Sequence, residues 1–81
     1  MYFLYVVRCA DASLYTGITL DVQRRVAEHN QSNRAAKYTR ARRPVRLVYL
    51  KKFRNRSTAA KAEARFKALR RAEKLALLTA H

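Results

Sequence analysis

The sequence is poor in the residues that cross-link or interrupt a chain. Its 81 residues include one glycine, one proline, one cysteine and no tryptophan. The single cysteine, Cys9, excludes an intrachain disulfide and a cysteine-based zinc cluster. One glycine and one proline leave little room for a linker or a low-complexity segment. The length therefore predicts one small domain over residues 1–81, with a thin hydrophobic core.

Acidic residues and long apolar runs are also scarce. Five Asp and Glu stand against 19 Lys and Arg, which gives a formal net charge of +14. This excess favours a polyanion as partner, and an anionic membrane surface is the weaker alternative. No apolar run approaches the roughly 18 residues of a membrane span. Arg8 and Asp11 interrupt the first apolar stretch, so we expect no signal peptide and a cytoplasmic protein without membrane contact.

Three stretches rich in aromatic and β-branched residues are predicted to be strands, over residues 2–9, 14–18 and 45–53. The turn between the first two is short and predicts an antiparallel hairpin. A two-residue loop would place Tyr5 and Tyr15 on opposite faces of the sheet. An odd-numbered loop with a bulge would place them on the same face, and both alternatives stay open.

The first predicted helix runs from a cap at Thr19 or Asp21 to the region of residues 29 and 30. Its apolar face has three members, Val22, Val26 and His29. On a helical wheel Arg25 lies at the edge of that face, whereas Arg24 and Glu28 point to solvent. The wheel therefore distinguishes an arginine held at the core boundary from a solvated one.

The second predicted helix runs from a cap at Ser57 or Thr58 to about residue 70, and a short third helix follows it. The apolar stripe of the second helix has four members, Ala59, Ala62, Phe66 and Leu69. Glu63 lies at the edge of this stripe, although a solvated ion pair with Lys67 is the simple alternative. The order β-β-α-β-α-α indicates an α+β fold in which helices cover a small sheet. The terminal His81 is expected to be disordered.

Five polar side chains at the predicted boundary between core and solvent form the candidate catalytic site. They are Tyr5, Tyr15, Arg25, His29 and Glu63. An arginine there could stabilise the negative charge that builds on an attacked phosphodiester. A carboxylate could hold one Mg²⁺, and a tyrosine or histidine could move the proton. Simple structural roles stay open as alternatives: a tyrosine in the core, a histidine at the helix dipole and an arginine stem on apolar neighbours.

Residues 31–44, the basic segment, show no apolar period and are predicted to be a loop that contacts nucleic acid. Its candidate contacts are Arg34, Lys37, Tyr38, Arg40, Arg42 and Arg43. Arginine and lysine side chains that contact phosphates provide affinity but little sequence information. The segment therefore predicts a polyanionic partner without saying which one.

The chain also resembles the GIY-YIG nuclease domain over nearly its whole length. Phe3-Leu4-Tyr5 stands where the family has its first triplet, and Tyr15-Thr16-Gly17 where it has the second. Residues 21–29 carry an arginine and a histidine four positions apart, as in the family, and residues 62–66 resemble its metal-binding helix. The stretches LYTGIT and RAEKLAL resemble the small stand-alone bacterial members. Ala12 departs from the pattern, because a turn glycine is frequent there, so the hairpin is expected to be strained or differently bulged.

The resemblance implies a three-stranded antiparallel sheet flanked by three helices, and an endonuclease that cuts DNA with one divalent ion, Mg²⁺ or Mn²⁺. By resemblance, Glu63 is the metal ligand and Arg25 stabilises the transition state. Tyr5 and Tyr15 bind and activate water, one of them as general base, and His29 assists in proton transfer or phosphate positioning.

Further domains find the target sites in larger family members, so this chain is expected to cut with low sequence specificity. Branched, nicked or single-stranded DNA are candidate substrates, in repair or recombination, and RNA is not excluded. The alternative function is a non-catalytic basic module that binds RNA, the ribosome or nucleoid DNA.

Overall fold

The structure is a computed structural model, and it describes residues 1–32 and 34–79. Within these residues the elements are β1 Tyr2–Arg8, β2 Leu14–Thr19, α1 Val22–Gln31, α2 Lys37–Arg40, β3 Arg46–Phe53, α3 Arg56–Ala68 and α4 Arg71–Thr79. The predicted α+β fold is confirmed, with one more helix than the sequence predicted. His81, which was expected to be disordered, lies outside the described residues.

The sheet is three-stranded and antiparallel, with the order β2-β1-β3, so that β1 is the central strand. In the hairpin, Val7 pairs with Tyr15 and Tyr5 pairs with Gly17. The connecting loop over residues 9–13 has an odd length. Paired residues share a face of the sheet, and so do residues two apart on a strand. Tyr5 and Tyr15 therefore lie on the same face, which settles the alternative that the sequence left open.

The hairpin turn contains the backbone strain expected at Ala12, whose φ is 70°. A positive φ is costly for a residue with a Cβ, which is why glycine is frequent at such positions. Asp11 stabilises the turn, because its side chain accepts hydrogen bonds from the backbone and the hydroxyl of Ser13. The turn is also held from outside, since Arg71 of α4 donates to the Ala12 carbonyl.

The two faces of the sheet pack against different helices. On one face Tyr5 and Val7 are buried with Cys9 and Val45, and Val26 of α1 packs against them. On the other face α3 contributes Phe66, which stacks on Tyr49 of β3 with ring centroids 6.1 Å apart. The side chains of β1 alternate between these two cores, which explains its nearly continuous burial.

The helix starts agree only partly with the predicted caps. Asp21 caps α1 by accepting from the backbone N–H of Arg24 at 3.1 Å, as one of the two predictions had it. The predicted cap of α3 at Ser57 or Thr58 is wrong. Asn55 is the cap, because its side chain accepts from the Thr58 N–H at 2.9 Å. The first turn is polar and therefore has no apolar period that could mark the start.

The basic segment is not an irregular loop throughout, because it contains the one-turn helix α2. This helix is anchored by the fully buried Thr39 and by a backbone bond from Ala10 N–H to the Arg42 carbonyl. Arg42 also forms an ion pair with Asp11 of the hairpin turn at 3.0 Å. A single turn whose buried residue is a threonine leaves no hydrophobic period in the sequence. None of the helices in the described part of the chain is long and apolar enough to cross a membrane.

Candidate active site

A buried hydrogen-bond chain joins three elements at the centre of the site. The Tyr5 hydroxyl of β1 lies 2.8 Å from Nε2 of His29 in α1. Nδ1 of the same ring lies 2.7 Å from Oγ1 of Thr39 in α2. The Thr39 hydroxyl in turn donates to the Ala36 carbonyl at 3.0 Å. All three side chains are among the most buried of the described residues.

Gly17 allows the Tyr5 side chain to reach this position. A Cβ on Gly17 would lie 2.6 Å from the Tyr5 hydroxyl and 2.8 Å from the ring carbon that carries it. The phenol therefore runs across the backbone of β2 at this point. The single glycine of the chain stands at the place where no side chain fits.

Arg25 is held at the edge of the site by two acceptors. Its Nη1 lies 2.9 Å from a carboxylate oxygen of Glu28 and donates to the Arg34 carbonyl at 2.9 Å. Its side chain is 25% exposed, so the guanidinium is fixed while part of it stays accessible. The boundary position expected for Arg25 is therefore observed.

Glu28 does not point to solvent, and this expectation is wrong. Its side chain is 20% exposed and pairs with both Arg24 and Arg25. A helical wheel places the carboxylate by the direction of its Cβ alone. Residues three or four apart are neighbours on a helix, so the long arginine side chains close over the glutamate.

The pKa of the Tyr5 hydroxyl is influenced by other predicted site residues. Its pKa is raised to about 12, mainly by burial and in smaller part by Tyr15 and Glu63, while the guanidinium of Arg25 opposes the shift. Tyr15, Arg25 and Glu63 thus all lie within electrostatic range of one hydroxyl. Of the five predicted catalytic residues, His29 is hydrogen-bonded to the Tyr5 hydroxyl, and Tyr15, Arg25 and Glu63 contribute to the pKa of that hydroxyl.

His29 is neutral at physiological pH. Burial and, to a smaller extent, the positive charges of Arg25 and Arg43 lower its pKa to about 4, while Glu28 opposes the shift. The ring does not act as a cation at the end of α1, which was the simple alternative. A neutral imidazole has one donor and one acceptor nitrogen, as the hydrogen-bond chain requires.

Tyr15 connects the site to the basic segment. Its ring meets the His29 ring edge-on at 5.2 Å and stacks on Tyr38 at 6.0 Å. The guanidinium of Arg42 lies 4.0 Å from the centre of the Tyr38 ring. A row of side chains in contact through their rings therefore runs from the buried histidine to the exposed surface of α2.

Glu63 is the carboxylate candidate for a divalent ion. Its side chain is 22% exposed and forms an ion pair with Lys67 at 3.3 Å, so the predicted surface pair is present. Among residues 1–32 and 34–79, no three His, Cys, Asp or Glu side chains cluster as a metal cage. One accessible carboxylate fits a hard cation whose other ligands are water and phosphate oxygens. It does not fit a closed zinc site, which needs four protein ligands.

The side chains of the basic segment differ in their exposure to solvent. Arg34, Lys37 and Arg40 are exposed at the surface. Arg43 is turned inward, because it donates from Nε to the His29 carbonyl at 2.6 Å and from Nη2 to the Ser32 carbonyl. It thereby caps the C-terminal end of α1. Sequence reasoning gave no role to Thr39 in this segment, and no sequence pattern marks it.

A small antiparallel sheet with a buried tyrosine–histidine pair, an arginine at the edge of that pair and a partly exposed glutamate on α3 is an arrangement typical of a small nuclease domain. Residues 1–76 match the family model described as the GIY-YIG catalytic domain. The chain belongs to this family, which is a nuclease family whose members generally depend on a divalent metal.

The chain is about half identical in sequence to curated relatives, of which it spans most of the length. It is 51% identical over 79 residues to the UPF0213 protein DP2720 of Desulfotalea psychrophila, covering 98% of this chain and 72% of the relative. It is 53% identical over 77 residues to the UPF0213 protein lmo0166 of Listeria monocytogenes, covering 95% and 84%. The solution structure of EF2693 from E. faecalis matches with a TM-score of 0.64 at 42% identity, covering 99% and 85%.

Proposed function

We propose that the protein is a divalent-metal-dependent endonuclease that hydrolyses phosphodiester bonds in DNA with low sequence specificity, acting in the cytoplasm. The observation that carries this proposal is the bond of Tyr5 to neutral His29 within the field of Arg25 and Glu63. A buried phenol, a neutral imidazole, a fixed guanidinium and one accessible carboxylate are the groups that hydrolysis of a phosphodiester uses.

Arg25 is the group that stabilises charge on the phosphate. Its bonds to Glu28 and to the Arg34 carbonyl fix the guanidinium before substrate binds. A preorganised cation loses little freedom when negative charge develops beside it, which is the main source of electrostatic catalysis. Nη1 is engaged by both acceptors and the guanidinium also interacts with the Tyr5 oxygen, so the remaining donors of the fork bind phosphate oxygens.

Tyr5 and His29 act together as the proton acceptor. A proton of the attacking water moves to the Tyr5 oxygen while the Tyr5 proton moves to Nε2 of His29. The imidazole then carries a positive charge, which Arg25 and Arg43 disfavour in the free protein. A bound phosphodiester offsets these positive charges, so the pKa of His29 rises when substrate is present. Tyr15, which is only partly buried, orients the water.

Glu63 would hold the divalent ion, Mg²⁺ or Mn²⁺. When bound, the ion neutralises phosphate charge and lowers the pKa of coordinated water. The Glu63 carboxylate must then exchange its pairing with Lys67, since the two groups lie 3.3 Å apart. An exposed pair of this kind contributes at most about 1 kcal/mol, so the exchange costs little.

The exposed cations of the basic segment contact the DNA backbone, and Tyr38 beside Tyr15 extends this surface to the site. Phosphate contacts do not read bases, so the domain recognises the form of its substrate rather than its sequence. Branched, nicked or single-stranded DNA in repair or recombination are the substrates we propose, and RNA is the further candidate.

The test is a plasmid-nicking assay with Mg²⁺ or Mn²⁺ on the wild type, Arg25→Lys and Glu63→Gln. Arg24→Lys and Glu73→Gln are the matched controls, because Arg24 lies on the same helix with its side chain 68% exposed. We expect the two site variants to lose activity and the two controls to keep it. Equal cutting by all five proteins would assign the activity to a contaminant and overturn the proposal.

A second candidate function is a non-catalytic nucleic-acid binder, which the charge of +14 and the existing Glu63–Lys67 pair favour. This function predicts binding that chelator does not change. Neutralising about six phosphates would give a log–log salt slope of about −5 on duplex DNA. Both functions predict this slope, so cleavage is the measurement that separates them.

A further inference from the structure

The contacts of Thr39 indicate which groups donate and which accept in the hydrogen-bond chain through His29. At one end the Thr39 hydroxyl donates its single proton to the Ala36 carbonyl at 3.0 Å. Its oxygen is then an acceptor for the atom that lies 2.7 Å away, Nδ1 of His29. A hydroxyl has one proton to donate, so this geometry places the ring proton on Nδ1.

The electrostatic surroundings at the Tyr5 end agree with this tautomer. The Tyr5 oxygen interacts with the guanidinium of Arg25, a group that can only donate. A proton on Nε2 would give this oxygen a second donor, and the phenol proton could no longer be donated to Nε2. With Nε2 unprotonated, the phenol donates to it at 2.8 Å, and each group in the chain is satisfied.

We infer that Thr39 is a positioning residue that holds His29 as the Nδ1–H tautomer, so that Nε2 accepts the Tyr5 proton. This inference rests on the proposed function for its catalytic consequence. The tautomer itself is a property of the free protein. A histidine with its proton on Nε2 could not take a proton from Tyr5 and would block the transfer.

Because Thr39 belongs to the basic segment, this segment also contacts the His29 ring. The residue belongs to α2, between the exposed Lys37 and Arg40, and is itself fully buried. Arg43, at the end of the same segment, donates to the backbone carbonyl of His29. The segment that is proposed to bind the DNA backbone therefore also orients the catalytic ring, through one side-chain contact and one main-chain contact.

The test compares Thr39→Val, which keeps the shape but removes the hydroxyl, with Thr39→Ser, which keeps the hydroxyl. Thr16→Val is the matched control, because Thr16 is a buried threonine on the opposite face of β2. The tautomer is read from the ¹⁵N chemical shifts of the His29 ring in the free proteins. Nicking rates and thermal unfolding are measured on the same samples.

We expect the Nδ1–H tautomer in the wild type, in Thr39→Ser and in Thr16→Val, and a mixed or Nε2–H tautomer in Thr39→Val. Nicking should fall by about 10²-fold in Thr39→Val, the lower end of what a general base contributes, and should recover in Thr39→Ser. If Thr39→Val does not fold, the ring tautomer of the wild type and of Thr39→Ser still decides the inference.

An Nε2–H ring in the wild type overturns the inference whatever the activity. A Thr39→Val protein that keeps both the tautomer and the nicking rate also overturns it. If no protein of the series cuts DNA, the proposed function fails, while the ¹⁵N shifts still determine whether Thr39 sets the tautomer.

Discussion

The Tyr5 hydroxyl occupies the space in which a side-chain carbon on Gly17 would stand, with 2.6 Å between the two positions. The two residues are also paired across β1 and β2. The tyrosine of the first triplet thus depends on the glycine of the second, because the phenol can cross β2 only where no Cβ projects. Beyond this crossing it meets His29.

Gly17→Ala should therefore remove activity by displacing Tyr5. The new Cβ would push the phenol from Nε2 of His29, and the buried ring has little space into which it could move. We expect nicking to fall to the level of Tyr5→Phe, and the free energy of unfolding to fall by about 1–3 kcal/mol, as for other overpacked cores. Thr16→Ala is the neighbouring control, and Gly17→Ala with normal activity would contradict the crossing geometry.

Stability should depend on pH through His29. Its pKa is about 4 in the folded protein against 6.5 in an unfolded chain. Between these values the unfolded chain binds a proton that the folded protein excludes. The contribution of His29 to the free energy of unfolding is therefore fully present above pH 6.5. It falls as the pH is lowered towards 4, by at most about 1.4 kcal/mol per pH unit.

Denaturant unfolding of the wild type and His29→Gln at pH 7, 6 and 5 measures this slope, which we expect the variant to lose. Asp11 and Glu28 have lowered pKa values, Asp11 through hydrogen bonds from Ser13 and Glu28 through its bond to Arg25. Their loss of stability begins at a lower pH, below the interval used here. An equal slope in both proteins would show that another group takes up the proton.

The sequence indicated which residues belong to the candidate site better than it indicated the contacts among their side chains. Arg25 and Glu63 could be predicted from their place at an amphipathic boundary and from a family motif, whereas the motif and the hairpin indicated Tyr5, which is fully buried. Glu28 was misplaced, since a helical wheel does not include the reach of an arginine side chain. Thr39 could not be predicted, because a helix of one turn shows no period and its contact with His29 joins residues ten positions apart.

The hairpin offers a test of backbone strain that is independent of function. Ala12 has a φ of 70°, whereas Ala10 in the same loop has no positive φ. Ala12→Gly should raise the free energy of unfolding by about 0.5–1 kcal/mol, because relief of the strain exceeds the added entropy of the unfolded chain. Ala10→Gly should not raise it, and thermal unfolding of both variants gives the comparison. Equal effects would place the strain elsewhere.

Substitutions in the basic segment should affect DNA binding and protein stability differently, because Lys37 is exposed while Arg43 donates to backbone carbonyls. Lys37→Gln removes an exposed charge, so DNA affinity should fall about equally on all sequences and the salt slope should drop by about 1. Arg43→Gln removes donors from the His29 and Ser32 carbonyls, so it should also lower the free energy of unfolding by about 1–3 kcal/mol. Salt titrations of DNA binding and thermal unfolding measure the two effects. A stability loss in Lys37→Gln equal to that in Arg43→Gln would contradict the division, and a loss of affinity confined to one DNA sequence would show that the segment reads bases.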